Sequence, residues 1–268
     1  MKIGKYKDPT SSISTSNSEM IVVRGFDLCK DLIGSVSLTE HFWLLTTGKR
    51  ANSEQCRVLD SCLVAIAEHG MVPSVQAARM TYAAGPEAMQ GAVAAGILGC
   101  GSVILGSAEN AGKFLAKIVE RSASGGVAAA ADALAKELRT AKTPFPGYGH
   151  PLHTDEDPRA GRLLAVAKDA GLAGPHAEAA RAAEAAIRQI MGRPLVLNVS
   201  GAIPAVLLDA GFPIGGLKGV PILARAASLI AHLVEEQARP IGFLLSEAAE
   251  ESIAYDGSTP AGFKPDAH

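Results

Sequence analysis

Apolar residues recur at three- and four-residue intervals through most of this chain, the spacing that gathers them on one face of a helix. The clearest case is 110–122, where Phe114, Leu115, Ile118 and Val119 share a face. The same pattern predicts helices over 39–46, 53–69 (with Ser53 as cap), from Ser74 to a break at Gly85-Pro86, 87–99, 127–139, 159–170, 175–191, 202–210, 220–237 and 243–251. Ser124-Gly125-Gly126 and Gly192-Arg193-Pro194 interrupt the series. Period-two alternation is scarce. Only Ile21-Val22-Val23 and Leu195-Val196-Leu197 read as brief strands. The expectation is an all-α protein without internal repeats.

Residues 88–106, AMQGAVAAGILGCGSVILG, form a longer apolar run spaced by glycines. Its length suits a membrane span. Gln90 and Ser102 interrupt it, many positions are only Ala or Gly, and flanking basic anchors are missing. A helix buried in the core or between subunits of a soluble assembly is the expectation, with no membrane partner.

Composition narrows the class. Aromatics are 4% of the 268 residues, while alanine and glycine are abundant, which suits closely packed helices. The formal net charge is -2 with Lys and Arg scattered, so no basic stripe points to nucleic acid. Cys29, Cys56, Cys62 and Cys100 make no Cys-x-x-Cys pair and read as reduced thiols. Residues 1–19 are polar and Ser/Thr-rich, a flexible lead-in rather than a secretory leader. Both features lead to the expectation of a cytoplasmic protein. The histidines are dispersed, and Asp155-Glu156-Asp157 reads as a solvated turn, so no metal site is expected.

The densest chemical signal is Pro144-Phe145-Pro146-Gly147-Tyr148-Gly149-His150-Pro151-Leu152, followed by Asp157-Pro158-Arg159. Prolines and glycines exclude a helix there and stiffen a loop. Glycine lets backbone approach a ligand closely. The loop ends on a histidine, which exchanges protons near neutral pH. Asp157 is placed to cap the next helix, with Pro158 in its first turn. A tight turn carrying a surface histidine fits the same residues.

This segment resembles the Pro-Gly-x-Gly-His…Asp-Pro-Arg signature of the citrate synthase superfamily, including the citryl-CoA lyase module of ATP-citrate lyase. Other resemblances follow in the family's order. They are Ile21-Val22-Val23-Arg24-Gly25-Phe26-Asp27, Glu68-His69-Gly70 with Ser74 and Arg79, Asn198-Val199-Ser200-Gly201, and Ala224-Arg225…Ala231-His232…Glu235-Glu236-Gln237. The resemblance implies a large helical domain from 1–106 and 200–268, a smaller helical domain at 107–199, an active site in the cleft and a homodimer or higher homo-oligomer.

It also implies site roles. His150 would hydrogen-bond the keto or hydroxyl oxygen of the organic acid. His69, Arg225 and Arg239 would bind that acid, with Asn198 nearby and His153 taking part of the role of an arginine lost near Thr154. Pro146, Gly147, Tyr148 and Gly149 would approach the adenine of coenzyme A, and Arg159 would fix the loop or bind acidic groups. A helix-end histidine with a local partner also describes His69, and a structural Asp or Glu would also satisfy Arg225.

Departures from the family carry as much weight. Its carboxylate base falls at Ser200, and a serine hydroxyl does not deprotonate a thioester α-carbon without an activating neighbour. The histidine with which synthases polarise the thioester falls at Ile104, a position where the lyase module also lacks histidine. The implied activity is cleavage or formation of a carbon–carbon bond in a 3-hydroxy-3-carboxylic acyl-CoA thioester, with acetyl-CoA and an oxo acid such as oxaloacetate on the other side. Coenzyme A enters as part of the substrate, and no permanently bound cofactor is expected. A catalytically degenerate homologue that binds CoA or a partner, and an ordinary citrate synthase, are the alternatives.

Overall fold

The computed structural model describes residues 9–101, 107–150 and 154–263. The chain forms two compact units, Met1–Ala65 with Ser107–Val220, and Ile66–Gly106 with Pro221–His268. The segment 107–199, expected as a small inserted domain, lies within the first unit.

The first unit opens with a small antiparallel sheet, β1 (Ser14–Ser16), β2 (Ile21–Val23) and β3 (Phe26–Asp27), in the order β1-β2-β3. Arg24 and Gly25 turn β2 into β3 with φ of 49° and 87°. Two left-handed residues match the twist of a tight hairpin. The Arg24 side chain then ties the hairpin down, its Nε and Nη2 donating to the Leu45 carbonyl at 3.0 and 2.5 Å. The run 195–197 is not a strand. It contributes one bridge, between Leu197 and Tyr148.

Helix α1 (Leu38–Thr47) begins at a capping box of Ser37 and Glu40 and stops at Gly48. Helix α2 (Ser53–Ala67) is capped by Asn52, not by Ser53. Asn52 Oδ1 accepts from the Gln55 amide at 2.8 Å, and Gln55 Oε1 accepts from the Asn52 amide at 2.9 Å. Its end at Ala67 leaves Glu68 and His69 in a turn.

Five helices complete the first unit: α5 (Ser107–Arg121), α6 (Val127–Thr140), α7 (Pro158–Asp169), α8 (Pro175–Met191) and α9 (Val199–Asp209). The second unit holds α3 (Pro73–Ala84), α4 (Met89–Leu98), most of α10 (Gly219–Ala238) and α11 (Gly242–Ser252). Helix α9 is the hub of the first unit, packed by α5, α7 and α8. Ala202, Ile203, Ala205, Val206 and Leu207 are all buried. It starts three residues before the expected 202, because Asn198 supplies a cap and Oδ1 accepts from the Gly201 amide at 3.2 Å.

In the second unit α3 packs on α4 and α11. Val75, Ala78, Tyr82, Ala92, Leu229 and Leu233 form the core. Helix α4 is shorter than the apolar run suggested. It ends at Leu98, and residues 102–106, Ile104 among them, lie outside the described residues. A Cβ on Gly96 would sit 2.6 Å from Leu229 Cδ1 and 2.8 Å from the Ser74 carbonyl, so the small residues there permit close packing. The stretch Ile214–Ala238 is long and apolar enough to cross a membrane by length and composition alone. It also carries buried Arg225 and Glu236.

The carboxylate of Asp209, at the end of α9, is fully buried and caps the distant helix α8. It accepts from the amides of Gly174, His176 and Ala177 at 2.8–2.9 Å and faces His176 Nδ1 at 2.8 Å. Burial raises its pKa, but these hydrogen bonds outweigh burial and hold it below the usual carboxylate value. The unfolded chain therefore takes up this proton first as pH falls. The stabilisation is complete above the unfolded pKa and disappears as pH drops through the folded one. Asp209→Asn should lower the unfolding free energy by about 1.5–3 kcal/mol at neutral pH. Urea titrations from pH 7 down to pH 3 should show the gap between variant and wild type closing in acid.

Candidate active site

In the first unit the Pro144–Gly149 loop lies against the start of α9. Gly147 has φ of 87°, and a Cβ there would lie 2.6 Å from Gly201 Cα. The reverse substitution is as crowded, since a Cβ on Gly201 would lie 2.5 Å from the Gly147 carbonyl oxygen. Backbone meets backbone here, and only glycine allows it. The Asn198 amide donates to Gly147 O at 3.0 Å, Asn198 Nδ2 to Gly149 O at 2.8 Å, and the Gly149 amide to Val196 O at 2.8 Å. Asn198, expected to bind substrate, thus spends its side chain on capping α9 and clamping the loop.

Tyr148, expected near the adenine, turns its ring inward. The ring meets Phe114 edge-on at 6.3 Å, and the hydroxyl donates to Ala180 O at 2.9 Å. Burial pushes the phenol well above its ordinary pKa, so it stays protonated. What the loop offers a ligand at this position is backbone.

Asp157 corrects the expectation of a solvated turn. Asp155 and Glu156 are exposed, but Asp157 is fully buried. Its Oδ1 caps α7 through the Arg159 amide at 3.1 Å. Arg159 Nε and Nη2 grip the two carboxylate oxygens at 3.0 and 2.9 Å, and the Val199 amide donates to Oδ2 at 3.0 Å. Burial raises the Asp157 pKa, while the Arg159 fork and these amides more than reverse it. Arg159 Nη2 also faces His150 Nε2 at 3.3 Å.

Ser200 occupies the first turn of α9, half-buried. Pro204 lies one turn on and has no N–H, so the Ser200 carbonyl lacks its ordinary helical partner. His153 lies outside the described residues. Two cavities flank the loop. One, of about 220 Å³, is lined by Gly149, His150, Thr154 and Arg193. The other, of about 360 Å³, includes Arg139, Lys142, Phe145 and Tyr148. Pro146 and Gly147 line neither. Arg139, Lys142 and Arg193 were not legible as site residues, since each reads as an ordinary helix-end or linker cation. The signal that was present is their position beside the proline-rich loop and its following breaker.

The second unit holds His69, Arg225 and Arg239. His69 is exposed in the turn after α2, and Arg239 is exposed at the end of α10. Glu68 fastens that turn. Its Oε1 accepts from the Gly70 amide at 2.5 Å, and its Oε2 accepts from Ser228 Oγ and from His232 Nε2, the latter at 3.0 Å. Burial raises the Glu68 pKa, and the Ser228 hydroxyl with the other donors lowers it further than that.

Two arginines are buried here, and they differ in one respect. Arg79 is fully served, with Glu236 at 2.6 Å, Glu235 at 2.8 Å and the Arg239 carbonyl at 3.1 Å. Arg225, 1% exposed, has a single long contact, from Nη2 to Ile66 O at 3.5 Å. Among the described residues its Nε and Nη1 have no hydrogen-bond partner, and neither has the buried hydroxyl of Ser74. A buried cation without a counter-ion is expensive, and a planar fork of free donors matches a carboxylate. Among the described residues no group of His, Cys, Asp and Glu could hold a metal ion.

Residues 13–242 match the family model "Citrate synthase, C-terminal domain". The structure is similar to citryl-CoA lyase from Hydrogenobacter thermophilus, with 31% identity, a TM-score of 0.84 and 98% of each chain covered. ATP citrate lyase from Methanothrix soehngenii, solved with citrate and coenzyme A, matches at 21% identity and TM-score 0.77 over 98% of this chain and 44% of that one. Citrate synthase from the archaeon Thermoplasma acidophilum matches at 20% identity and TM-score 0.62 over 85% and 59%. No curated protein matches the sequence.

The unpaired guanidinium yields a test on stability alone. Arg225→Met keeps the length of the side chain and removes the stranded charge. It should raise the unfolding free energy of the ligand-free protein by about 1–4 kcal/mol, seen as a higher urea midpoint. A lower midpoint would mean that the protein itself pairs Arg225.

Proposed function

Because the chain belongs to the citrate synthase family, we propose that it is a citryl-CoA lyase-like enzyme, cleaving a 3-hydroxy-3-carboxylic acyl-CoA thioester to acetyl-CoA and an oxo acid. The observation that carries this reading is Arg225, buried with two N–H groups unpartnered. A substrate carboxylate supplies the missing charge. His69 and Arg239 are the further candidates for the acid's carboxylates, and the loop backbone with Arg139, Lys142 and Arg193 is the candidate seat of the CoA moiety.

Retro-aldol cleavage requires a base on the tertiary hydroxyl and a proton for the departing carbon. His150 takes the hydroxyl proton. The carbon–carbon bond then breaks towards the thioester, the hydroxyl carbon becomes the keto carbon of the oxo acid, and the enolate of acetyl-CoA takes a proton from water relayed through Ser200. Serine at this position offers a hydroxyl for proton relay and no carboxylate for abstraction. The functional unit is proposed to be a homodimer or larger homo-oligomer in the cytoplasm.

Release of acetyl-CoA from citryl-CoA is the direct assay. His150→Ala should bind CoA nearly as well as wild type and turn over about 10²–10⁴ times more slowly. Unchanged turnover would remove His150 from the reaction. Proton exchange separates the roles of Ser200. In deuterated water the wild type should exchange the acetyl-CoA methyl protons very slowly by NMR, and Ser200→Asp should exchange them faster. Rapid exchange by the wild type would reveal another base, and no exchange by either protein would argue for the degenerate, CoA-binding alternative.

A further inference from the structure

Three polar side chains of the second unit converge where α3, α4 and α10 meet. The meeting point is Gly96 of α4, since a Cβ there would sit 2.6 Å from Leu229 Cδ1 of α10 and 2.8 Å from the Ser74 carbonyl of α3. Cys100 lies one turn beyond Gly96, and its thiol donates to the Gly96 carbonyl at 3.4 Å. The adjoining Gly99 also lies against Ser74, because a Cβ there would be 3.4 Å from Ser74 Cα and 3.7 Å from Ser74 Cβ. Arg225 stands one turn before Leu229, on the same face of α10. Burial raises the Cys100 pKa, and the nearby Ser74 hydroxyl and Arg225 charge offset part of the rise. Ser74 is 0% and Arg225 1% exposed. Among the described residues Ser74 Oγ and Arg225 Nε and Nη1 have no hydrogen-bond partner. Buried donors from two helices, left without an acceptor at one place, call for an acceptor from outside the protein. Cys100 is half-buried and is the member of the cluster nearest to solvent.

We propose that Ser74 and Cys100 are binding residues for the carboxylate that pairs with Arg225, the Ser74 hydroxyl donating to it and the Cys100 thiol lying against it. This rests on the reading of Arg225 as a seat for the carboxylate of a small di- or tricarboxylic acid. An ionised carboxylate only accepts, and its two oxygens can take the guanidinium fork and a hydroxyl together. The bound acid then satisfies both helices at once, and neither donor stays stranded.

Citrate is the probe, titrated calorimetrically into the full-length protein without CoA. Ser74→Ala should weaken citrate by about tenfold or more, the range for a lost hydrogen bond to a charged group. The same substitution should leave the urea midpoint of the ligand-free protein unchanged or raise it, because the hydroxyl it removes is buried and unpaired. That opposition of affinity and stability separates a ligand contact from a packing residue. Citrate should also slow alkylation of Cys100 by iodoacetamide, followed by peptide mass spectrometry, and leave exposed Cys29 unaffected. Wild-type citrate affinity in Ser74→Ala, a loss of affinity accompanied by a lower midpoint, or no citrate binding by the wild type would overturn the assignment of Ser74. Alkylation of Cys100 that citrate does not slow, or none at all, would remove Cys100 from the site. Citryl-CoA cleavage, assayed in parallel, keeps the two ideas apart. A citrate affinity that depends on Ser74, without cleavage, overturns the lyase reading and leaves the binding assignment standing. Cleavage with wild-type citrate affinity in Ser74→Ala does the reverse.

Discussion

The buried carboxylate of Asp157 ties the start of α7 to the start of α9 in the first unit. One side chain caps α7, receives the fork of Arg159 and binds the first amide of α9. Two backbone segments, the starts of α7 and α9, are tied to a single charge, and each contact is charge-assisted. Arg159 is thereby fixed where its remaining contact reaches His150. Gly147 and Gly201 supply the other constraint, since any side chain at either would force loop and helix apart.

The second unit contains the clearest thermodynamic oddity. Of its two buried arginines, Arg79 is satisfied by two carboxylates and a carbonyl, and Arg225 is not. Proteins seldom tolerate a stranded buried charge without a functional return. The Glu68 network beside it uses Gly70, Ser228 and His232 to fix the turn that presents His69.

Serine at position 200 fits the same picture. It stands in the first turn of α9, next to the cap at Asn198 and one turn before Pro204. The chain is similar to a citryl-CoA lyase over 98% of each chain.

Periodicity and punctuation determined most of the local architecture. Helices α5 to α8 begin and end within three residues of expectation, because amphipathic spacing, Gly and Pro act on neighbouring residues. The family, the loop and its histidine were legible for the same reason, as contiguous motifs. Only the tertiary structure decided what each polar side chain does. It turned Tyr148 into the core, gave Asn198 to the loop, buried Asp157, brought Gly147 against Gly201, and satisfied Arg79 while leaving Arg225 without a counter-ion. Such partnerships join residues tens to well over a hundred positions apart, and no local pattern encodes them. A hydrogen bond is set by distance and angle in space, and those exist only once the helices have packed.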